Sequence, residues 1–458
     1  AVGIGTVRMA GNIISLDRAR QDRAATLSHA VSVDEFAIKV ACARDPMFWV
    51  RVKRPLGGDV HVTDFQRGAQ SRAALADGLI AALQAAGIAL PRRLRFSDIA
   101  PIGASDPRFH GRLAEAIEDV GGSLNAWTSR DTTCFHARVL ANDVPLALEL
   151  VTDLIASPSF TDADLALERE VVLSEIGEAL ETPDDLVFDH LQAAAFPAQS
   201  LGRPILGTRE SLAALDGASL RSWQGSHYRG AGLVLSAAGK VDHDAIVRQA
   251  EAMLGALPSG RPGAIEQASW VGGRISDSKR NEQTHIALGF KGFGPLDPAF
   301  DAARLFAAAL GGGMSSRLFQ ELREERGLAY SVSASHGIHA DAGVLTLYCA
   351  TRPADADRAL ALAREIAAAT AADLSPAELA RARAQMKAGV LMGLEGCAGQ
   401  ADWLGGSLIT YGRVIPPSEL IAALDAVTVE QVRAAGAAML ATPPALAIVG
   451  PKATKLAA

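Results

Sequence analysis

Leu310 to Val332 reads LGGGMSSRLFQELREERGLAYSV, and this stretch does most to decide the fold. Three consecutive glycines, Gly311, Gly312 and Gly313, permit backbone conformations that a Cβ resists, and they let the chain pass close to its neighbours. Ser315 or Ser316 can cap a helix start. The run Arg317 to Arg326 carries Leu318, Phe319 and Leu322 between charged positions, which predicts a helix. Gly327 predicts its stop, and Ala329 to Ser335 predicts a strand. Arg323 and Tyr330 project from that helix and strand, seven positions apart. A glycine-rich turn before a helix is also the form of a phosphate cradle. Neither GxGxxG nor a GK[ST] ending is present, so on pattern alone this is a tight turn and a surface helix.

The chain has 458 residues, 49% hydrophobic and 21% charged, enough for a sizeable core in about two to four domains. Aromatic residues are only 5%, so abundant alanine predicts closely packed helices. A net charge of −7 argues against nucleic acid or an anionic membrane as the main partner, and it suits basic or neutral peptides. Cys42, Cys134, Cys349 and Cys397 form no CxxC and predict neither a thiolate metal site nor a disulfide framework. No apolar run approaches the roughly 18 residues of a membrane span. No charged start precedes an apolar run, although the chain begins at Ala1 without Met. A soluble protein is expected, cytoplasmic or periplasmic.

In the first hundred residues, Met47 to Val52 and Val60 to Val62 predict a hairpin across Pro55–Asp59. Ala73 to Ala86 predicts a helix, and the arginines of Pro91 to Arg95 a solvated patch. Further on, Arg112 to Val120 predicts a helix that ends at Gly121–Gly122, followed by a strand pair through SLNAWTSRD and TTCFHARVL. Helices are predicted over Asn142 to Ala156 and from Thr161 or Asp162 through ALEREVVLSEIGEAL. Glu168 and Glu175, seven apart, share nearly one face of the second. Leu233 to Val241 predicts a buried strand, and Pro258 to Gly273 a linker. Strands at His285 to Phe290 and Gly343 to Thr351 and long helices over Asp355–Ala372 and Pro376–Met392 follow. The fold class is α+β.

The quoted stretch resembles the pitrilysin/insulinase family of zinc peptidases, the inverzincins, which includes the mitochondrial-processing-peptidase-like proteins. The resemblance runs from about Arg108 to the C-terminus. It implies two similar α/β-sandwich domains, each an antiparallel-rich sheet with helices on one face. A linker joins them into half of a clamshell around a peptide chamber. The implied division is an N-terminal segment 1–105 of unclear origin, in the place of the zinc-motif region. A first peptidase-like domain 106–257, a linker 258–273 and a second domain 274–458 follow. By resemblance, Arg323 and Tyr330 contact substrate carbonyls. The text around Asn125, Ala126 and Thr128 marks an edge strand on which an extended peptide adds. Glu175 matches the third zinc ligand, and Glu168 a supporting carboxylate.

The sequence departs from the family where the His-x-x-Glu-His motif should end, near Ile99. Arg95-Phe96-Ser97-Asp98-Ile99 stands there; Asp98 takes the place of the base, and neither histidine is present. Arg offers no lone pair to a metal. His61-Val62-Thr63-Asp64-Phe65 imitates only half of the motif, and His110 and His136 show no ligand spacing. Zinc is thus the family's cofactor, and this chain lacks its imidazole ligands; whether it is an enzyme in its own right stays open. Three readings remain: a non-catalytic peptide-binding subunit paired with a related peptidase subunit as a homo- or heterodimer, a zinc-dependent metalloendopeptidase, or a structural scaffold.

Overall fold

The computed structural model describes residues 33–42, 45–55, 60–65, 94–96, 107–263, 266–451 and 453, with side chains from residue 113 onward. Strands β1 (Val33–Cys42), β2 (Asp45–Pro55), β3 (Val60–Phe65) and β4 (Leu94–Phe96) form a four-stranded sheet in that order. The expected hairpin is present: β2 and β3 run antiparallel, with Val52 opposite Val62. The helix expected over 73–86, the motif positions 97–99, and the side chains of His61, Arg95 and His110 lie outside the described residues.

Helix α1 (Pro107–Glu118) leads into the antiparallel pair β5 (Ser123–Thr128) and β6 (Thr133–Arg138). Helices α2 (Val144–Ala156), α3 (Asp162–Glu181) and α4 (Pro183–Ala195) follow. Thr161 caps α3 by accepting from the Asp164 N–H. Then come α5 (Arg209–Ala213), α6 (Gly217–His227) and α7 (His243–Leu254).

The remainder opens with β7 (Gly273–Asp277), β8 (Thr284–Gly292) and α8 (Phe300–Gly311). A π-helical turn, Phe319–Glu325, precedes β9 (Ala329–Ile338) and β10 (Gly343–Thr351). Helices α9 (Ala356–Asp373), α10 (Pro376–Gly393), α11 (Cys397–Tyr411), α12 (Pro417–Ala426) and α13 (Val429–Leu440) lead to β11 (Ala445–Val449). The five strands order as β7-β11-β8-β10-β9, and only the β7–β11 pair is parallel. The fold is α+β.

Residue size explains how that sheet is covered. Ile286, Leu288 and Phe290 of β8 and Leu446 and Ile448 of β11 point into one core with α8, α9 and α13. The alternate residues, Ala287, Ala445 and Ala447, meet Leu186, Val187, Leu191 and Ala195 of α4 on the opposite face. Gly289 belongs to the same small-residue face: a Cβ there would stand 3.0 Å from Leu191 Cδ1. Large side chains therefore face the sheet's own helices. Small ones admit a helix from earlier in the chain at close range.

The strand expected at Leu233–Val241 is corrected: residues 233–238 carry no ladder and are half-buried. No described strand pairs with this segment. It lies instead against α11, with Gly239 beside Cys397 and Ser236 beside Gly405. Asp402 of α11 also raises the Cys134 thiol on β6, after burial, so α11 lies over this region. The two parts thus each lend a helix to the other.

Among the described residues no helix is long and apolar enough to cross a membrane. Cys134, Cys349 and Cys397 are free thiols, and burial pushes Cys349 up to about 12.

Candidate functional site

The quoted stretch builds its site on three anchors. Gly311 ends α8 where a Cβ would sit 2.2 Å from the Ala334 backbone nitrogen, so the glycine is a steric requirement of β9. Arg317 places Nε 2.6 Å and Nη2 2.9 Å from the two Glu378 carboxylate oxygens, and Nη1 2.5 Å from Asp373. Glu378 is also the N3 residue of the Ser375 capping box of α10. Leu318 and Leu322 are fully buried.

The expected α-helix is here a π-helical turn, a form frequent at functional sites. Gly327, at φ +57°, closes it: its N–H donates to the Arg323 carbonyl and that of Leu328 to Leu322. The expected serine cap does not form. The Ser316 carbonyl accepts from Gln320, while its buried hydroxyl has no partner.

The structure brings Arg323 and Tyr330 together. The Arg323 Cζ lies 4.8 Å from the centre of the Tyr330 ring and 4.7 Å from that of Phe319. Its Nε is 3.4 Å from Glu324 Oε1. Tyr330 is 72% exposed. Ala329 pairs with Thr351 and Ser331 with Ala350, which leaves Tyr330 as the extra residue of a β-bulge on the outer strand. Bulges at sheet edges re-aim side chains, and this one turns a phenol outward.

Asn125, Ala126 and Thr128 are exposed on β5, whose ladder partner among the described residues is β6. The Ala126 N–H donates to Asn125 Oδ1 at 2.8 Å, so one donor of this edge is held by its own strand. The two hairpins meet at their turns. His339, between β9 and β10, has Nδ1 3.3 Å from Asp131 Oδ2 and Nε2 3.2 Å from Gln192 Nε2 of α4. Sequence reasoning gave His339 no role; only the fold sets it beside Asp131, far away in the chain.

Glu168 and Glu175 are exposed on α3, and the only described side chain buried on that helix is Ile176. No group of three His, Cys, Asp or Glu side chains able to hold a metal occurs among the described residues. His136, on β6, is exposed and joins no such group. Among the described residues, the donors on this helix are two carboxylates without an imidazole beside them, which by themselves do not make up a zinc centre.

His336 on β9 accepts the Phe293 N–H at its Nε2, 3.2 Å away, and stacks edge-on against Phe300. Burial, then the Arg304 charge, lowers its pKa to about 4. The neutral form is favoured by folding, so stability is intact above the unfolded value near 6.5 and falls as pH drops toward 4. His336→Gln, which keeps an acceptor, is expected to lose about 2 kcal/mol less stability than the wild type between pH 7 and 4.5. Parallel urea titrations at the two pH values check this, and equal losses refute it.

Two family profiles match the chain in succession: "Insulinase (Peptidase family M16)" over residues 104–209 and "Peptidase M16 inactive domain" over 214–386. An uncharacterized zinc protease of Mycobacterium leprae is 38% identical over 352 residues, covering 75% of this chain and 79% of that one. The chain belongs to the insulinase family, peptidase family M16. Another uncharacterized zinc protease of the family, from Streptomyces coelicolor, is 36% identical over 349 residues, covering 74% and 76%. A crystal structure of a peptidase M16 inactive domain from Pseudomonas fluorescens shares the fold, with a TM-score of 0.67 at 22% identity over 75% of this chain and 84% of that one.

Proposed function

We propose that this M16 chain is a non-catalytic, peptide-binding subunit that presents Arg323 and Tyr330 to a related, zinc-bearing partner. It would be organised as two peptidase-like domains, 106–257 and 274–458, joined at 258–273, with residues 1–105 in place of the motif region. One observation carries the reading: Arg323 of the π-helical turn is assembled against the exposed Tyr330 of an edge strand, while Glu175 has no fellow ligands among the described residues. A guanidinium and a phenol are both donors, suited to the carbonyls of an extended peptide. β5, with Asn125, Ala126 and Thr128 and only β6 as ladder partner among the described residues, would supply backbone pairing for the same ligand.

Arg323→Ala is expected to weaken binding of a capped, extended peptide about ten-fold, and Tyr330→Phe about three-fold, with the fold unchanged. Fluorescence anisotropy measures both. Unchanged affinity in both variants would remove the carbonyl-contact role.

The relatives' names, zinc proteases, favour a second reading, a zinc-dependent metalloendopeptidase. Zinc stoichiometry after dialysis against a weak chelator separates the two. The subunit reading expects no retained zinc, and about one zinc per chain would transfer the case to the peptidase. A scaffold without peptide affinity is the outcome if neither zinc nor peptide binds.

A further inference from the structure

We infer that Phe319 is a positioning residue, which clamps the Arg323 guanidinium against Tyr330 so that its free N–H edge is aimed before a ligand arrives. This deepens the peptide-contact reading and rests on it. The guanidinium lies over two rings, 4.7 Å from one centroid and 4.8 Å from the other. Its Nε faces Glu324. Among the described residues its Nη groups have no hydrogen-bond acceptor, so they are the donors left for a carbonyl oxygen. An unclamped arginine would lose rotamer freedom on binding; one already stacked loses less.

The clamp follows from the local backbone. Phe319 and Arg323 both lie on the π-helical turn, and the bulge brings Tyr330 within reach of the same guanidinium. Leu318 and Leu322, both fully buried, fix the turn to the core, so Phe319 is left half-buried beside its arginine. Arg326 is diverted to Glu321 and Glu325, at 3.3 Å from each, so the second arginine of the turn does not compete for the rings.

The test uses the full chain and a capped, extended Lys/Val-rich peptide carrying a fluorophore. Phe319→Leu removes one ring face and is expected to weaken binding about five-fold, while Phe319→Trp, the stronger cation–π partner, restores wild-type affinity or exceeds it. Thermal unfolding of the variants reports any merely structural loss, which would not follow the order Trp, Phe, Leu. The Arg323 side-chain Hε resonance gives a ligand-free readout: ring currents shift it upfield in the wild type and in Phe319→Trp, and the shift shrinks in Phe319→Leu. If Arg323→Ala weakens binding while Phe319→Leu binds like the wild type, the clamp is refuted and the contact role stands. If the wild type binds no peptide, the contact role fails, and the resonance alone decides whether the clamp exists. An unshifted wild-type resonance overturns it.

Discussion

Arg317→Ala is expected to destabilise the chain by about 3 kcal/mol, seen as a fall in urea midpoint and in Tm. Arg317 and Glu378 are each about four-fifths buried and joined by two parallel N–H···O bonds, with the more exposed Asp373 on the third donor. Truncating the arginine leaves the Glu378 carboxylate half-satisfied under the glycine turn. The hydrogen bonds from Arg317, then those from Ser375, hold that carboxyl down at about 2. A lowered folded-state value means that this stability is present above the unfolded value near 4.5 and is lost as pH falls through 2. The variant should accordingly show a flatter stability profile over that interval. Replacing both partners by methionine should cost less than the single truncation, because no charge is then stranded. A loss below about 1 kcal/mol for Arg317→Ala would show that the pair only decorates the surface.

Leu191→Ala is expected to cost a similar amount, about 3 kcal/mol, for a different reason. Leu191 is 3% exposed and fills the contact between α4 and the small-residue face of β8 and β11. The cavity would open between the part of the chain that contributes the helix and the part that contributes the sheet. A single cooperative transition should move as a whole to lower denaturant. Two separate transitions, or a shift worth less than about 1 kcal/mol, would show that α4 rests on the sheet without bracing it.

Much of this architecture was legible in the residues. Residue pattern predicted β8, β10, α9 and α10. The family resemblance singled out Arg323 and Tyr330, and the fold does set these two side chains together. The misses have physical causes. The π-helical turn keeps the apolar spacing of an α-helix over two short cycles, so Leu318, Phe319 and Leu322 do not distinguish the two. Helix α11 contains Gly399, Gly405 and Gly406, poor helix formers, and was not predicted. One of these glycines, Gly405, sets the helix close to Ser236. Leu233–Val241 has the apolar run of a strand, but a ladder needs a neighbour, and sequence pattern says nothing about neighbours. The small residues of β8 and β11 on the α4 face read as weak strand formers when taken singly. Their meaning emerges only once α4 is set against them.

The exchange of α4 and α11 has a consequence for the chain's connectivity. Each part of the molecule covers a surface of the other, so their register does not rest on an unbroken backbone at 258–272 alone. A chain nicked there should still migrate as one particle. Two fragments made separately should each bare an apolar face and regain solubility on mixing. The joint is a mutual clasp, and the segment between its parts is stitched into it, with the Ser269 N–H donating to the Gln199 side chain and the Trp270 indole to the Pro443 carbonyl.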